Sequence, residues 1–184
     1  LDKFEKARAN FTNRKYAVGV GSGPDALYFA LRANGIGPSS TVLCPAISYY
    51  ATSEAIKRTG ATIQFADVNN KALISNLPDF GLPSAVVYVN LFGNLADYDY
   101  LKKYCSSRGI PLIEDAAQSL GSYYHKIPSG KLGDISSLSF APTKPLPCFG
   151  NAGMVLTDNE SERDLVRSLR YHATGTAKLP YGYN

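Results

Sequence analysis

IPLIEDAAQ, residues 110–118, decides the fold. Its first half is short and apolar, the composition of a strand buried on both faces of a parallel sheet. It predicts a strand over Ile110–Glu114 that runs straight into Asp115, with Gln118 one helical turn further on. A carboxylate brought to the edge of a core needs a partner, because an unpaired buried charge is costly. A helix N-cap would satisfy it, and so would a cationic ligand. The residues alone leave both open.

Runs of the same kind recur to either side and alternate with longer amphipathic stretches, the pattern of βαβ units. Strands are expected over Tyr16–Val20, Thr41–Cys44, Thr62–Ala66 and Ala85–Val89, and later over Ile135–Phe140 and Met154–Thr157. Helices are expected over about Asp25–Ala33, Tyr49–Arg58, Tyr98–Ser107 and Glu160–Tyr171. The Pro/Gly-rich stretch from Pro142 to Gly153 is too short for a crossover helix, so one of the last two strands should run antiparallel to its neighbour. The expected class is α/β: a mostly parallel, seven-stranded sheet with helices on both faces. Ligands of such sheets sit beyond the carboxyl ends of the strands. Asp67, Asp115, Gln118, Ser139 and Lys144 all fall there and are expected to cluster.

Composition narrows the class without choosing a function. The 184 residues are 45% hydrophobic and 18% charged, which suits a globular core and not a disordered chain. No apolar run approaches the roughly 20 residues that span a bilayer, and Leu1 to Lys15 lacks the apolar centre of a signal peptide. The sequence has no initiator Met, so its natural start is expected to lie upstream. Cys44, Cys105 and Cys148 are widely spaced, with no CxxC pair for zinc or redox chemistry, and read as reduced thiols of a cytoplasmic protein. No metal site is expected. The net charge of +4 is spread out, which speaks against nucleic acid as a partner.

Two further stretches carry chemistry. In GSGPDAL, residues 21–27, a strand turns into a helix whose free N–H groups and dipole can hold an anion. Pro24 suits the first helical turn. The same letters fit a GxGxxA dinucleotide fingerprint, but the second strand ends Cys44-Pro45 without the acid that a ribose requires. In SFAPTK, residues 139–144, a lysine follows a strand in a loop constrained by prolines. A lysine that forms a Schiff base needs such a held position, although most lysines are simply solvated.

The order and spacing of Asp115, Gln118, Ser139 and Lys144 resemble the DegT/StrS family of sugar aminotransferases, fold type I enzymes that use pyridoxal 5'-phosphate (PLP). The resemblance runs from Phe4-Glu5 and YAVGVGSGPDAL (16–27) through GATIQFADV (60–68), VNLFGN (89–94), IEDAAQSLGS (113–122), GKLGDISSLSFAPTK (130–144) and GNAGMVLT (150–157) to LRYHATG (169–175) and YGYN (181–184). It implies that residues 1–184 are the PLP-binding large domain, with a smaller C-terminal domain absent. It makes Lys144 the Schiff-base lysine, Asp115 the partner of the pyridine nitrogen, and Gln118 the neighbour of the ring hydroxyl. Ser139 becomes a phosphate ligand beside the helix start at Gly23, Pro24 and Asp25. Tyr49, in PAISYYAT (45–52), becomes the ring that stacks on the cofactor. Asn184 matches the asparagine that reaches the neighbouring subunit's phosphate in a homodimer. His125 and His172 match no catalytic position, and His172 is taken as structural.

The implied reaction moves an amino group, from glutamate in most of the family, to a nucleotide-linked keto-sugar. Family dehydratases carry histidine in place of the lysine, so Lys144 favours transamination. The chain departs from the family at Pro24, usually Thr, at Pro145-Leu146-Pro147, commonly Asn-Leu-Gly, and at Ala152-Gly153, commonly Gly-Gly. A non-catalytic or regulatory homologue and, further off, a dinucleotide-binding domain are the alternative readings.

Overall fold

The computed structural model describes residues 1–79 and 81–171. Among these residues there are five α-helices, α1 Asp2–Phe11, α2 Gly23–Ala33, α3 Tyr50–Arg58, α4 Tyr98–Arg108 and α5 Glu160–Arg170, and nine strands. The strands are β1 Tyr16–Val20, β2 Thr41–Pro45, β3 Thr62–Ala66, β4 Ala85–Val89, β5 Leu112–Asp115, β6 Tyr123–Tyr124, β7 Ile127–Pro128, β8 Ile135–Ser139 and β9 Gly153–Thr157. Seven of them form one sheet in the order β1-β9-β8-β5-β4-β2-β3, and β6 with β7 makes a separate hairpin. From β8 to β3 the neighbours are parallel. β9 is wedged between β1 and β8 and antiparallel to both; the short connection after β8 accounts for its direction against β8.

Period-two alternation along each strand divides the core. Val18, Val42, Val87, Ile113, Ile135 and Val155 face α2, α3 and α5. Leu43, Val86, Tyr88 and Leu112 face α4, and Ala17, Leu138, Met154 and Leu156 lie on the same side toward α1. Burying both faces explains why the strands read as continuous apolar runs. The expected helices and strands all form, with ends shifted by one or two residues. The helix after β1 starts at Gly23 rather than Asp25, because Ser22 caps it through Asp25 N–H (3.1 Å).

Helix α1 was not expected. It has little apolar surface, and only Glu5 and Ala9 of it are buried. Its anchor is polar: Glu5 accepts from Gly19 N–H (2.7 Å) and from Arg170 of α5 (3.0 Å).

The end of β5 is fixed from the face opposite Asp115. Glu114 is fully buried and accepts from Asn90 Nδ2 (2.9 Å), Ser129 Oγ (2.9 Å), Gly130 N–H (3.0 Å), Leu132 N–H (3.0 Å) and Ser136 Oγ (2.8 Å). Arg14 extends this network, donating to Ser136 Oγ (2.9 Å) and to the carbonyls of Gly130 (2.7 Å) and Gly133 (2.6 Å). The five donors give this carboxylate full hydrogen bonding inside the core, the condition under which burial of a charge is tolerated.

Candidate active site

Because β1, β2, β4, β5 and β8 run the same way, their carboxyl ends open on one side. A cavity of about 470 Å³ lies there, within the usual size of small-molecule sites. Ser22, Gly23 and Pro24 line it after β1, Ser48, Tyr49 and Thr52 after β2, Asp115 and Gln118 after β5, and Ser139 and Lys144 after β8. A second, adjoining cavity of about 430 Å³ shares Gln118, Thr143 and Lys144 and is bordered by Phe92 and Pro145.

Asp115 is the buried acid of the site. Its Oδ1 accepts from Ala117 N–H (3.1 Å) and its Oδ2 from Thr52 Oγ1 (3.2 Å). Burial pushes its carboxyl above the ordinary carboxylate range, while these two donors and the charge of Lys144 oppose the rise. Among the described residues no lysine or arginine is in ion-pair contact with it. An ionised Asp115 is therefore short of a cation on the side that faces the cavity.

Lys144 is held by a turn in which its N–H donates to the Ala141 carbonyl (2.9 Å), and its Nζ lies 5.6 Å from the centre of the Tyr49 ring. That ring is 54% exposed and leans on Tyr50 with centroids 4.4 Å apart. Gln118 Oε1 accepts from Phe92 N–H (2.8 Å), so its amide NH2 is the group left for a ligand.

At the helix start the fit between Gly23 and Ser139 is close. A Cβ on Gly23 would lie 2.7 Å from Ser139 Cβ and 2.8 Å from its Oγ. Gly153 is constrained in the same way, since a Cβ there would overlap the Ser22 carbonyl. Two glycines thus let the loop after β1 lie directly on β8 and β9.

Gly23, Pro24, Tyr49, Asp115, Gln118, Ser139 and Lys144 are brought together. Asp25 is not in the lining: its carboxylate accepts from Ser22 Oγ (2.7 Å) and pairs with Arg58 (2.9 Å), tying α2 to α3. Asp67 also stays away, at the end of edge strand β3. Asn184 and His172 lie outside the described residues. Ser48, Thr52, Thr143 and Asn151 line the cavity without having been singled out from the sequence. Thr52 was detectable, lying within PAISYYAT one helical turn beyond Tyr49.

The model of the DegT/DnrJ/EryC1/StrS aminotransferase family matches residues 1–183. The pleiotropic regulatory protein of Geobacillus stearothermophilus is 32% identical over 181 residues, 95% of this chain and 48% of that protein. The UDP-2-acetamido-2-deoxy-3-oxo-D-glucuronate aminotransferase of Pseudomonas aeruginosa is 33% identical over 177 residues, 94% of this chain and 49% of that protein. Among solved structures, S. venezuelae DesV in complex with a ketimine intermediate superposes with a TM-score of 0.91 at 33% identity, covering 100% of this chain and 52% of that one. The chain spans about half the length of the curated relatives it matches. With the family model matching nearly every residue and the fold shared throughout, the chain belongs to the DegT/DnrJ/EryC1/StrS aminotransferase family.

Proposed function

We propose that this chain is the cofactor-binding part of a PLP-dependent aminotransferase that converts a nucleotide-linked keto-sugar to an amino sugar, with glutamate as donor. One observation carries the reading: a buried carboxylate without an ion-pair partner among the described residues, Asp115, and a loop-held lysine, Lys144, line one cavity, with the aromatic ring of Tyr49 beside the lysine. The residues fit the cofactor by their chemistry. Asp115 would hold a proton on the pyridine nitrogen, and the Gln118 amide would meet the ring hydroxyl. Tyr49 would cover the ring face, and Ser139 with the start of α2 would take the phosphate.

PLP, when bound, supplies an electron sink for the carbanion that forms as the amino group is transferred. Lys144 would tether the cofactor through Nζ and, once released, carry the proton between the amino-bearing carbon and the cofactor carbon. Asp115 would keep the ring nitrogen protonated, with its own charge balanced by that proton. Pro24 offers no N–H, so the phosphate would rely on Ser139 Oγ and the remaining donors of the loop.

The homodimer belongs to the same proposal. Asn184 would serve the phosphate of the neighbouring subunit, an isologous exchange in which each subunit gives one and receives one. The exposed rings of Tyr49, Tyr50 and Phe92 at the two cavities fit a surface that becomes covered. The cytoplasm is the proposed location. All three cysteines are free, and burial pushes the Cys44 and Cys105 thiols up to about 12. No described helix is long and apolar enough to cross a membrane.

A regulatory homologue without the cofactor is the second reading, favoured by Pro24 and by the name of the Geobacillus relative. Borohydride reduction of the protein with PLP, followed by peptide mapping, separates the two. The aminotransferase predicts a pyridoxyl label on Lys144. Absence of label, or label on another lysine with Lys144 unmodified, would count against it.

Gly23→Ala tests the phosphate end. The added Cβ meets Ser139, and overpacking of this kind costs about 1–3 kcal/mol. PLP affinity is expected to fall by about tenfold or more, a factor that corresponds to ~1.4 kcal/mol. A cofactor titration with unchanged affinity would show that the contact between Gly23 and Ser139 has no part in the site.

A further inference from the structure

Two hydroxyls lead to Asp115, and neither has a role in the steps above. Thr52 Oγ1 is 3.2 Å from Asp115 Oδ2 and 2.8 Å from Ser48 Oγ. Thr52 is buried in the first turn of α3, while Ser48 is half-buried at the cavity wall. A hydroxyl carries one hydrogen, and an ionised carboxylate only accepts. Thr52 therefore donates to Asp115, its oxygen is left to accept, and Ser48 donates to Thr52. The charge on Asp115 fixes the direction of both bonds. With Ala117 N–H on Oδ1, both carboxylate oxygens are pinned, one by the backbone after β5 and the other by α3.

We propose that Thr52 and Ser48 are positioning residues: a directed pair of hydrogen bonds that holds the Asp115 carboxylate in place for the ring nitrogen of PLP and couples it to the turn carrying Tyr49. The proposal rests on the PLP reading of this cavity. The other charges that bear on Asp115 are Lys144, across the cavity, and Glu114, on the reverse face of β5. Glu114 has its own five donors, so Thr52 is the side-chain donor that can be removed without disturbing that network. Its loss leaves the carboxylate with one donor and a higher affinity for a proton. The proton shared with the ring nitrogen then moves toward Asp115, and the ring loses part of its positive charge. Ser48 acts only through Thr52, so its hydroxyl should matter only while Thr52 has one.

The test uses the protein at its natural length, loaded with PLP carrying 15N in the ring. Thr52→Val keeps the side-chain shape and removes the hydroxyl, and Thr52→Ser keeps the hydroxyl. In T52V the PLP dissociation constant is expected to rise about tenfold, in line with the loss of a hydrogen bond to a charged group. The ring 15N resonance should move toward the neutral pyridine position. T52S should restore both. S48A should raise the constant about threefold in the wild-type background and add nothing in T52V. Wild-type binding and an unmoved 15N resonance in T52V overturn the proposal, and so do losses that multiply in the double variant. If T52V does not fold, S48A decides alone, and wild-type values for both readouts overturn it. A wild-type protein that takes up no PLP overturns the functional reading together with this one. Binding by wild type with an unresponsive T52V overturns this one alone.

Discussion

Lys144→Ala is expected to abolish the visible absorption of the PLP-loaded protein and to lower turnover by about 10⁴-fold, the upper range for loss of a positioned acid–base group. Two functions are lost together, because the same Nζ would tether the cofactor and move the proton. Alanine removes the amine without touching the core, since the side chain lies half-buried in the cavity wall and the turn that holds it is made by backbone. Far-UV circular dichroism and melting temperature should match wild type. An external amine such as methylamine should restore roughly a few per cent of the rate, because it could take the place of the amine proposed to act as the base. Visible absorption and full turnover in the variant would remove Lys144 from the chemistry altogether.

Glu114→Gln is expected to destabilise the fold by about 3–5 kcal/mol, the range for breaking a buried charged network, although the side chain barely changes in size. The wild-type carboxylate is surrounded only by donors. An amide must turn its NH2 toward one group of them, either Asn90 and Ser129 or Leu132 and Ser136, and donor then faces donor in the core. The loss is felt next door, because Asp115 follows Glu114 directly and Asn90 N–H donates to the Asp115 carbonyl (3.2 Å). Urea unfolding of the two proteins measures the difference. A change below about 1 kcal/mol, the net worth of a single ordinary hydrogen bond, would mean that the five donors find other partners.

Strand runs such as AVVYV (85–89) and Ile110–Glu114, observed as Leu112–Asp115, were legible in the sequence because burial on both faces leaves an apolar signature. That the last two strands include an antiparallel one was legible from the length of the connection between them, but not that β9 is the reversed strand. The clustering of candidate residues in one cavity was legible for a related reason: Asp115 and Ser139 end strands, Lys144 follows one, and parallel strands bring such residues to one side. Asp67 shows the limit of that rule, since a strand end on the sheet edge opens away from the cavity. Asp25 shows another, since its cap geometry and Arg58 take its carboxylate elsewhere. The Glu114 network had no readable signature. Its partners lie up to 24 residues away, and two of them are backbone N–H groups that any residue could supply. Helix α1 was hidden in the same way, because it docks through a carboxylate and not through an apolar stripe.

The position of β9 also dictates an order of assembly. Among the described residues β1 is an edge strand paired only with β9, so during synthesis it lacks this sheet partner until residues 153–157 have been made. Contacts of such long sequence separation form late and slowly. Until then Val18 and Val20 lack their sheet partner, and Gly23 has no Ser139 held against it. The turn after β1, proposed to hold the phosphate, therefore lacks its support on β8 and β9 until then. The proposed phosphate site for PLP would therefore be complete only once β9 has paired with β1 and β8. Chains interrupted before residue 153 would keep an unpaired strand, the kind of edge that invites aggregation.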